Sequence, residues 1–247
     1  MARYDEIGRT YGSIREADPR FARRIREALG DARTVVNVGA GTGSYEPSDL
    51  DVTAVDPSAV MIAQRPPGAA PAVRAAAEDM PFEDDAFDAA TAILTIHHWA
   101  DVERGLAELV RVARRRVVIL TFDPRIWPEQ WIVRDYLPEV IVDLAPAFPS
   151  IDRVLAALPP ATVEPLPAPA DCTDRMFATL WARPEQYLDP EIRAATSVWY
   201  ELPEAVSARA LAALRRDLES GVWDERYGRL RTTPELDVGL RLIRAEL

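Results

Sequence analysis

The apolar positions in the first half of the chain fall into an alternation of strands and helices. Phe21, Ile25 and Leu29 recur at helical spacing behind Asp18-Pro19 and ahead of Gly30, which predicts a capped amphipathic helix. Apolar runs at about 34–39 and 51–56 predict strands, and a short helix over roughly 58–64 is stopped by Pro66-Pro67. "AVRAAAEDMPF" reads as a brief strand running into a loop. "FDAATAILTI", 87–96, and "RVVILTF", 116–122, alternate little, as strands buried on both faces do. Between them Leu106, Leu109, Val110 and Ala113 make a helical stripe behind an Asp101 cap. The alternation predicts an open parallel sheet.

After about residue 124 the pattern changes. Prolines multiply, and "LPPATVEPLPAPA" predicts a short strand between extended segments. Helices follow, one near 207–219 with Leu211, Leu214 and Leu218 on one face and Gly221 as its stop. "LDVGLRLIRA" is read as a last strand returning to the sheet, which leaves 168–233 as a helical insertion between the last two strands. No internal repeat is present.

Composition narrows the function. The 247 residues are long enough for a sizeable core, and 48% hydrophobic with 28% charged residues is ordinary for a globular protein. A formal charge of −11 opposes a nucleic-acid partner, whose binding draws on cationic groups. The densest basic run, "RVARRR" at 111–116, is read as the solvated end of a helix. All 29 basic residues are arginine, so Schiff-base chemistry and P-loop phosphate transfer lack their usual lysine. That lysine-free usage suggests a GC-rich bacterial genome. No apolar run is long enough to span a bilayer, and "MARYDEIGRT" lacks a signal-peptide pattern, so a cytoplasmic protein without membrane contact is expected. Cys172 is the single cysteine, read as a small packed residue.

Chemistry concentrates in "VVNVGAGTGSYEPSDLDVTAVDPS", residues 35–58. Gly39, Gly41 and Gly43 permit close approach of backbone to a ligand, and Asp56 ends the next strand, where an acid can accept ribose hydroxyls. A dinucleotide would want the positive end of a well-formed helix for its pyrophosphate and a third fingerprint glycine, but Ser44 holds that position. Seven residues, Pro47 among them, separate Gly43 from Asp51, which leaves at most one helical turn. This favours S-adenosylmethionine, an adenosine cofactor without phosphate. Met61, one turn beyond the acid, is placed to lie on the adenine.

In order, "NVGAGTG", "VDPS", "AEDMPF" and "FDAATAILTIHHW" resemble the motifs of class I S-adenosylmethionine-dependent methyltransferases. The resemblance is to the small-molecule branch of ubiquinone/menaquinone C-methyltransferase-like enzymes (methyltransferase type 11), and it covers roughly residues 33–123. It implies an α/β, Rossmann-like fold with a seven-stranded, mostly parallel sheet, an antiparallel last strand and a helical insertion near the C-terminus. It also implies a helical lid over 1–30, a cofactor-binding core over 31–167, a substrate-side insertion over 168–233 and a returning strand over 234–247. Gly39, Ala40 and Gly41 would border the methionine end, and Asp56 would hold the ribose. Pro57 and Met61 would flank the adenine; Asp79, beside Glu78, would accept from its amine, and Met80 would cover it. Leu94 and Thr95 would offer backbone near the methionyl group. In the lid, Tyr11 and Arg15 would reach the cofactor, Arg15 through the methionine carboxylate, unless it is a surface arginine. The shortened segment after Gly43 departs from the family pattern.

The two histidines, His97 and His98, stand at the ligand-binding edge of the sheet. Successive strand residues point oppositely, so one of them, with preference for His98, is expected to act as a base; a structural histidine is the alternative. No metal site is expected from this pair. Trp127, Trp131 and Trp181 suggest walls for a small apolar or aromatic methyl acceptor, against the alternative that they pack a core. The sequence therefore reads as a bacterial methyltransferase on a small molecule, with secondary metabolism as one setting, S-adenosylhomocysteine as product and its oligomeric state open. Two rivals keep the fold: a cyclase or binding module that uses the cofactor without methyl transfer, and a nicotinamide oxidoreductase.

Overall fold

The computed structural model describes residues 16–247. Strands β1 (Thr34–Val38), β2 (Asp51–Val55), β3 (Ala72–Val73), β4 (Phe87–Ile93) and β5 (Ala113–Phe122) pair in parallel. The last strand, β7 (Leu240–Glu246), inserts antiparallel between β5 and β6 (Ala161–Pro165). The resulting seven-stranded order is β3-β2-β1-β4-β5-β7-β6, with the strand number and the antiparallel last strand that the resemblance implies. Strand order reverses between β1 and β4, and a crevice for ligands opens at the carboxyl ends of these strands.

Alternating side chains divide the sheet into two faces. Val35, Ala89, Val118 and Leu120 face helix α1 (Pro19–Leu29), whose Phe21, Ile25 and Leu29 are buried. Asp18 caps that helix by accepting from the Arg20 amide. The stretch of the expected 1–30 lid from residue 19 to 29 thus packs under the sheet, whereas residues 1–15 lie outside the described residues. On the other face Val36, Ala90, Val117 and Ile119 meet Leu106 and Leu109 of helix α3 (Val102–Val112), which follows the short α2 (Ala59–Ala63). Asp101 caps α3 through the Arg104 amide.

The basic run 111–116 differs from its expected place. Arg111 lies in the last turn of α3, but Arg114, Arg115 and Arg116 already lie on β5. Arg114 reaches Asp88 at 3.0 Å and Arg115 reaches Asp31 at 2.5 Å. Helix and strand abut without a connecting loop, so the arginines serve the start of the strand.

Helical material above the sheet comes from two segments. The first holds the turns Pro124–Glu129, Ile132–Tyr136 and Val140–Leu144, and the chain then forms α4 (Ile151–Ala156). Pro128, Pro138 and Pro146 break this segment into 3-10 and π turns, so no 3.6-residue periodicity announces it. The second, between β6 and β7, holds α5 (Pro190–Ala194), α6 (Ser197–Glu201), α7 (Glu204–Glu219) and α8 (Val222–Tyr227). A two-residue ladder, Ala168 with Leu236 and Pro169 with Glu235, ties its ends together. The two segments share one core, in which Trp131 meets Trp223 edge to face at 5.2 Å and Tyr187 at 5.5 Å. Among the described residues no helix is long and apolar enough to cross a membrane.

Asp88 fastens the start of β4 to that of β1. Its carboxylate accepts from the amides of Arg33 (2.8 Å) and Thr34 (3.1 Å), while its own amide donates to the Thr34 hydroxyl. The Arg33 and Thr34 amides, followed by Arg114, hold its pKa at about 2, below the ordinary 3.8. A depressed carboxylate stabilises the fold fully above its ordinary pKa and loses that contribution as pH falls through the lowered value. Asp88→Asn is therefore expected to remove about 1–2 kcal/mol near neutral pH, after allowance for solvent screening. Urea midpoints near pH 7 and near pH 2 check this: the gap between variant and parent should close at the acid end.

Candidate functional site

The chain leaves β1 through a turn that only a particular residue set permits. Gly39 has φ +71°, and a Cβ there would sit 2.0 Å from Thr95 Oγ1, so backbone and close approach both require glycine. The amides of Gly39 and Ala40 donate to the Val55 carbonyl at 2.8 and 3.0 Å, folding the loop over the end of β2. Asp56, 7% exposed, then gathers the neighbouring main chain. Its Oδ2 accepts from the Gly41 amide and its Oδ1 from the Ser58 amide, each at 2.8 Å. Ser58 in turn caps α2 through the Met61 amide.

No helix follows Gly43; residues 44–50 form only turns. A buried ion pair braces this stretch instead, with Arg65 donating to Glu46 at 2.6 Å and to the Gly41 carbonyl at 3.2 Å. Asn37 of β1 donates to the other Glu46 oxygen and accepts from the Thr91 hydroxyl. The loop is thus held by side chains where no helix packs against it.

A cavity of about 450 Å³ opens above this loop. Gly39, Ala40, Gly41, Asp56, Pro57 and Met61 line one side, and Glu78, Leu94, Thr95 and His98 another. Glu78 also anchors the approach to α3, since its Oε1 accepts from the amides of Ala100 and Asp101. Two expected contacts are corrected. Asp79 is exposed and off the cavity, its amide turned to the Ala76 carbonyl. Met80 is 4% exposed within the α3-side core. Ala76 and Ala77 line the cavity in their place, with Trp99 and Ala100 beside them. Tyr11 and Arg15 lie outside the described residues.

Trp99 had a detectable signal in Gly105, a glycine inside α3 with no unusual φ. A Cβ there would lie 2.4 Å from the Trp99 ring, so the helix gives up propensity to seat the indole against the cavity. The alanines carry no side-chain chemistry that would have marked them.

A smaller cavity, about 80 Å³, adjoins the first, and Leu94 and His98 line both. Leu94 has φ +55° and its amide donates to the Leu120 carbonyl at 2.7 Å. The chain then tightens into a 3-10 turn, Ile96–His98, instead of continuing as a strand. For that reason both histidines line the smaller cavity, contrary to the expected alternation. Their ring centroids are 3.9 Å apart, and His97 stacks on Phe148 at 4.0 Å. Phe122, Trp127, Phe148 and Phe177 supply aromatic wall, and Gln130, Thr196 and Ser197 polar wall. Trp131 and Trp181 are corrected: both are interior and off the cavities, the Trp131 indole N–H donating to the Trp181 carbonyl and the Trp181 N–H to the Ala168 carbonyl. Cys172 is buried, and burial pushes its thiol up to about 12. Among the described residues no three His, Cys, Asp or Glu are grouped to hold a metal ion.

A family model described as a methyltransferase domain matches residues 36–121. A demethylmenaquinone methyltransferase from Beutenbergia cavernae is 30% identical over 60% of this chain and 68% of its own length. A solved structure from Anabaena variabilis, a candidate methyltransferase of an antibiotic biosynthesis pathway, is 31% identical. It covers 95% of this chain and 99% of its own, with a TM-score of 0.88. The chain belongs to the class I S-adenosylmethionine-dependent methyltransferases. A ubiquinone/menaquinone biosynthesis C-methyltransferase from Geotalea daltonii is 33% identical to this methyltransferase over 49% of the chain, and the match spans 58% of that enzyme's length. S-adenosylmethionine is the cofactor of this methyltransferase, and the larger cavity suits it. The glycine loop lines it, Asp56 stands at the strand end, and no helix follows Gly43 to offer its N-terminus to a pyrophosphate. Arg74, on the cavity rim, directs its Nε to the Pro57 carbonyl.

Gly105→Ala tests the seat of Trp99. The substitution adds helix propensity worth about 1 kcal/mol, yet it collides with the ring. S-adenosylhomocysteine is expected to bind about tenfold more weakly, with changed tryptophan fluorescence. A more stable variant with unchanged affinity would contradict the assignment.

Proposed function

We propose that this methyltransferase holds S-adenosylmethionine in the larger cavity and methylates a small, neutral, largely apolar or aromatic molecule in the smaller one. The observation that carries this reading is the shared wall: Leu94 and His98 line both cavities, so a donor and an acceptor would meet there. Gly39, Ala40 and Gly41 would run along the methionine end, with the Leu94–Thr95 backbone opposite. Asp56 would accept from the ribose hydroxyls, while Pro57, Met61 and Trp99 would border the adenine.

When bound, the cofactor supplies an electrophilic methyl group on a sulfonium. Transfer from it is an in-line displacement governed by proximity and alignment. The aromatic walls formed by Trp127, Phe148 and Phe177 would orient the acceptor and exclude water. The stack of Phe148 on His97 fixes the histidine pair, and His98 would take a proton from the acceptor's nucleophilic atom. The walls of the smaller cavity include no Asp, Glu or Arg among the described residues. A charged acceptor would lose its hydration there without a counter-charge. Relatives named for menaquinone-type methylation support a low-molecular-weight acceptor, and the Anabaena structure named for an antibiotic pathway supports secondary metabolism.

Incubation with methyl-labelled S-adenosylmethionine and a small-molecule extract of the organism of origin tests this reading. Label is expected in an uncharged product, and His98→Asn should slow the transfer by about 100-fold or more. Tight cofactor binding with no label leaving it would contradict the proposal.

A further inference from the structure

The stretch that replaces the missing helix contains a residue whose conformation that shortening alone does not explain. Tyr45 has φ +66°, a left-handed conformation that bulky side chains rarely adopt. Strain of this kind persists where surrounding contacts over-determine it. Here the ring is 8% exposed and forms wall of the larger cavity. Its hydroxyl donates to Asp174 Oδ2 at 2.6 Å and accepts from the Asp18 amide at 3.3 Å.

Asp174 is 1% exposed and belongs to the segment between β6 and β7. Its carbonyl accepts from the Thr179 hydroxyl at 2.6 Å and from the Met176 amide at 2.8 Å. It therefore sets the turn that presents Met176, Phe177 and Ala178 to the smaller cavity. Asp18 closes the junction from the other side, accepting from the Thr173 amide at 3.1 Å. Burial raises the Asp18 carboxyl, but hydrogen bonds from Arg20 and from the Arg20 and Thr173 amides outweigh it and hold the group well below the usual carboxylate range. An ionised, buried acid so placed keeps the 173–174 backbone fixed relative to α1.

We infer that Tyr45 is a positioning residue that couples the two cavities: occupation of the larger one sets the wall of the smaller one through Tyr45 and Asp174. This rests on the larger cavity being the cofactor site. A ligand against the glycine loop fixes Tyr45, Tyr45 fixes the Asp174 carboxylate, and the Asp174 carbonyl fixes the 176–179 turn. The acceptor wall is then held more firmly on the cofactor-bound protein, which favours acceptor binding once a methyl donor is in place.

Hydrogen exchange, read by mass spectrometry with and without saturating S-adenosylhomocysteine, tests the coupling without a known acceptor. None of residues 174–180 lines the larger cavity, so any slowing there is transmitted. In the parent, the ligand should slow exchange across 174–180 by about fivefold or more. Tyr45→Phe keeps the ring but removes the donor, and Asp174→Asn replaces the acceptor. Both should lose the ligand-dependent slowing at S-adenosylhomocysteine concentrations that calorimetry shows to be saturating for each, and Asp174→Asn, off the larger cavity, should also bind within about fivefold of the parent. No slowing in a parent that binds the ligand, or slowing retained in both variants, overturns the inference. Exchange raised equally with and without ligand, the ligand-dependent difference intact, marks a merely structural contact and overturns it too. A parent that binds no S-adenosylhomocysteine overturns the cofactor-site reading instead.

Discussion

The convergence of two main-chain amides on one buried carboxylate sets the geometry of the loop that floors the larger cavity. Asp56 receives the Gly41 amide on one oxygen and the Ser58 amide on the other. Hydrogen bonds to a charged acceptor are about twice as strong as neutral ones, and this pair joins the glycine loop to the start of α2. The loop has no helix of its own to hold it. With Thr95 pressing on Gly39 from one side and the Arg65–Glu46 pair bracing from the other, it is a rigid floor made of side-chain contacts.

That floor decides which ligand chemistry the crevice favours. A helix N-terminus would direct amides and a positive dipole end into the cavity, suited to phosphates. Here a buried cation, Arg65, reaches the loop, and its charge is matched by Glu46 at 2.6 Å. Tyr45, in the stretch without a helix, lines the larger cavity and reaches Asp174 in the segment that walls the smaller one. The second cavity follows from the left-handed Leu94 and the 3-10 turn after it, which bring both histidines to its wall.

The sheet was legible in the sequence because its apolar runs are long and bounded by glycines, prolines and caps such as Asp18 and Asp101. The glycine loop and Asp56 were legible because their roles demand those residue types. Elsewhere the sequence misleads for physical reasons. Asp79 attracts attention as an acid, but the cavity wall at that point is Ala76 and Ala77, whose backbone and small size matter and whose side chains carry no sign of it. Trp131 and Trp181 look like acceptor walls, yet their indole N–H groups find carbonyl partners within the core. A large aromatic residue announces burial without saying against what. The proline-broken 124–147 stretch concealed its helical turns, and Tyr45 was invisible because its importance lies in a partner 129 residues away.

Calorimetric titration of S-adenosylhomocysteine and of NADH into the parent and into Asp56→Ala distinguishes a cofactor without phosphate from a dinucleotide. The parent is expected to bind S-adenosylhomocysteine and not NADH, and Asp56→Ala to weaken binding by about 1–3 kcal/mol, the scale for a lost hydrogen bond to a charged group. Tight NADH binding, or an S-adenosylhomocysteine affinity indifferent to Asp56, would contradict the assignment of the larger cavity.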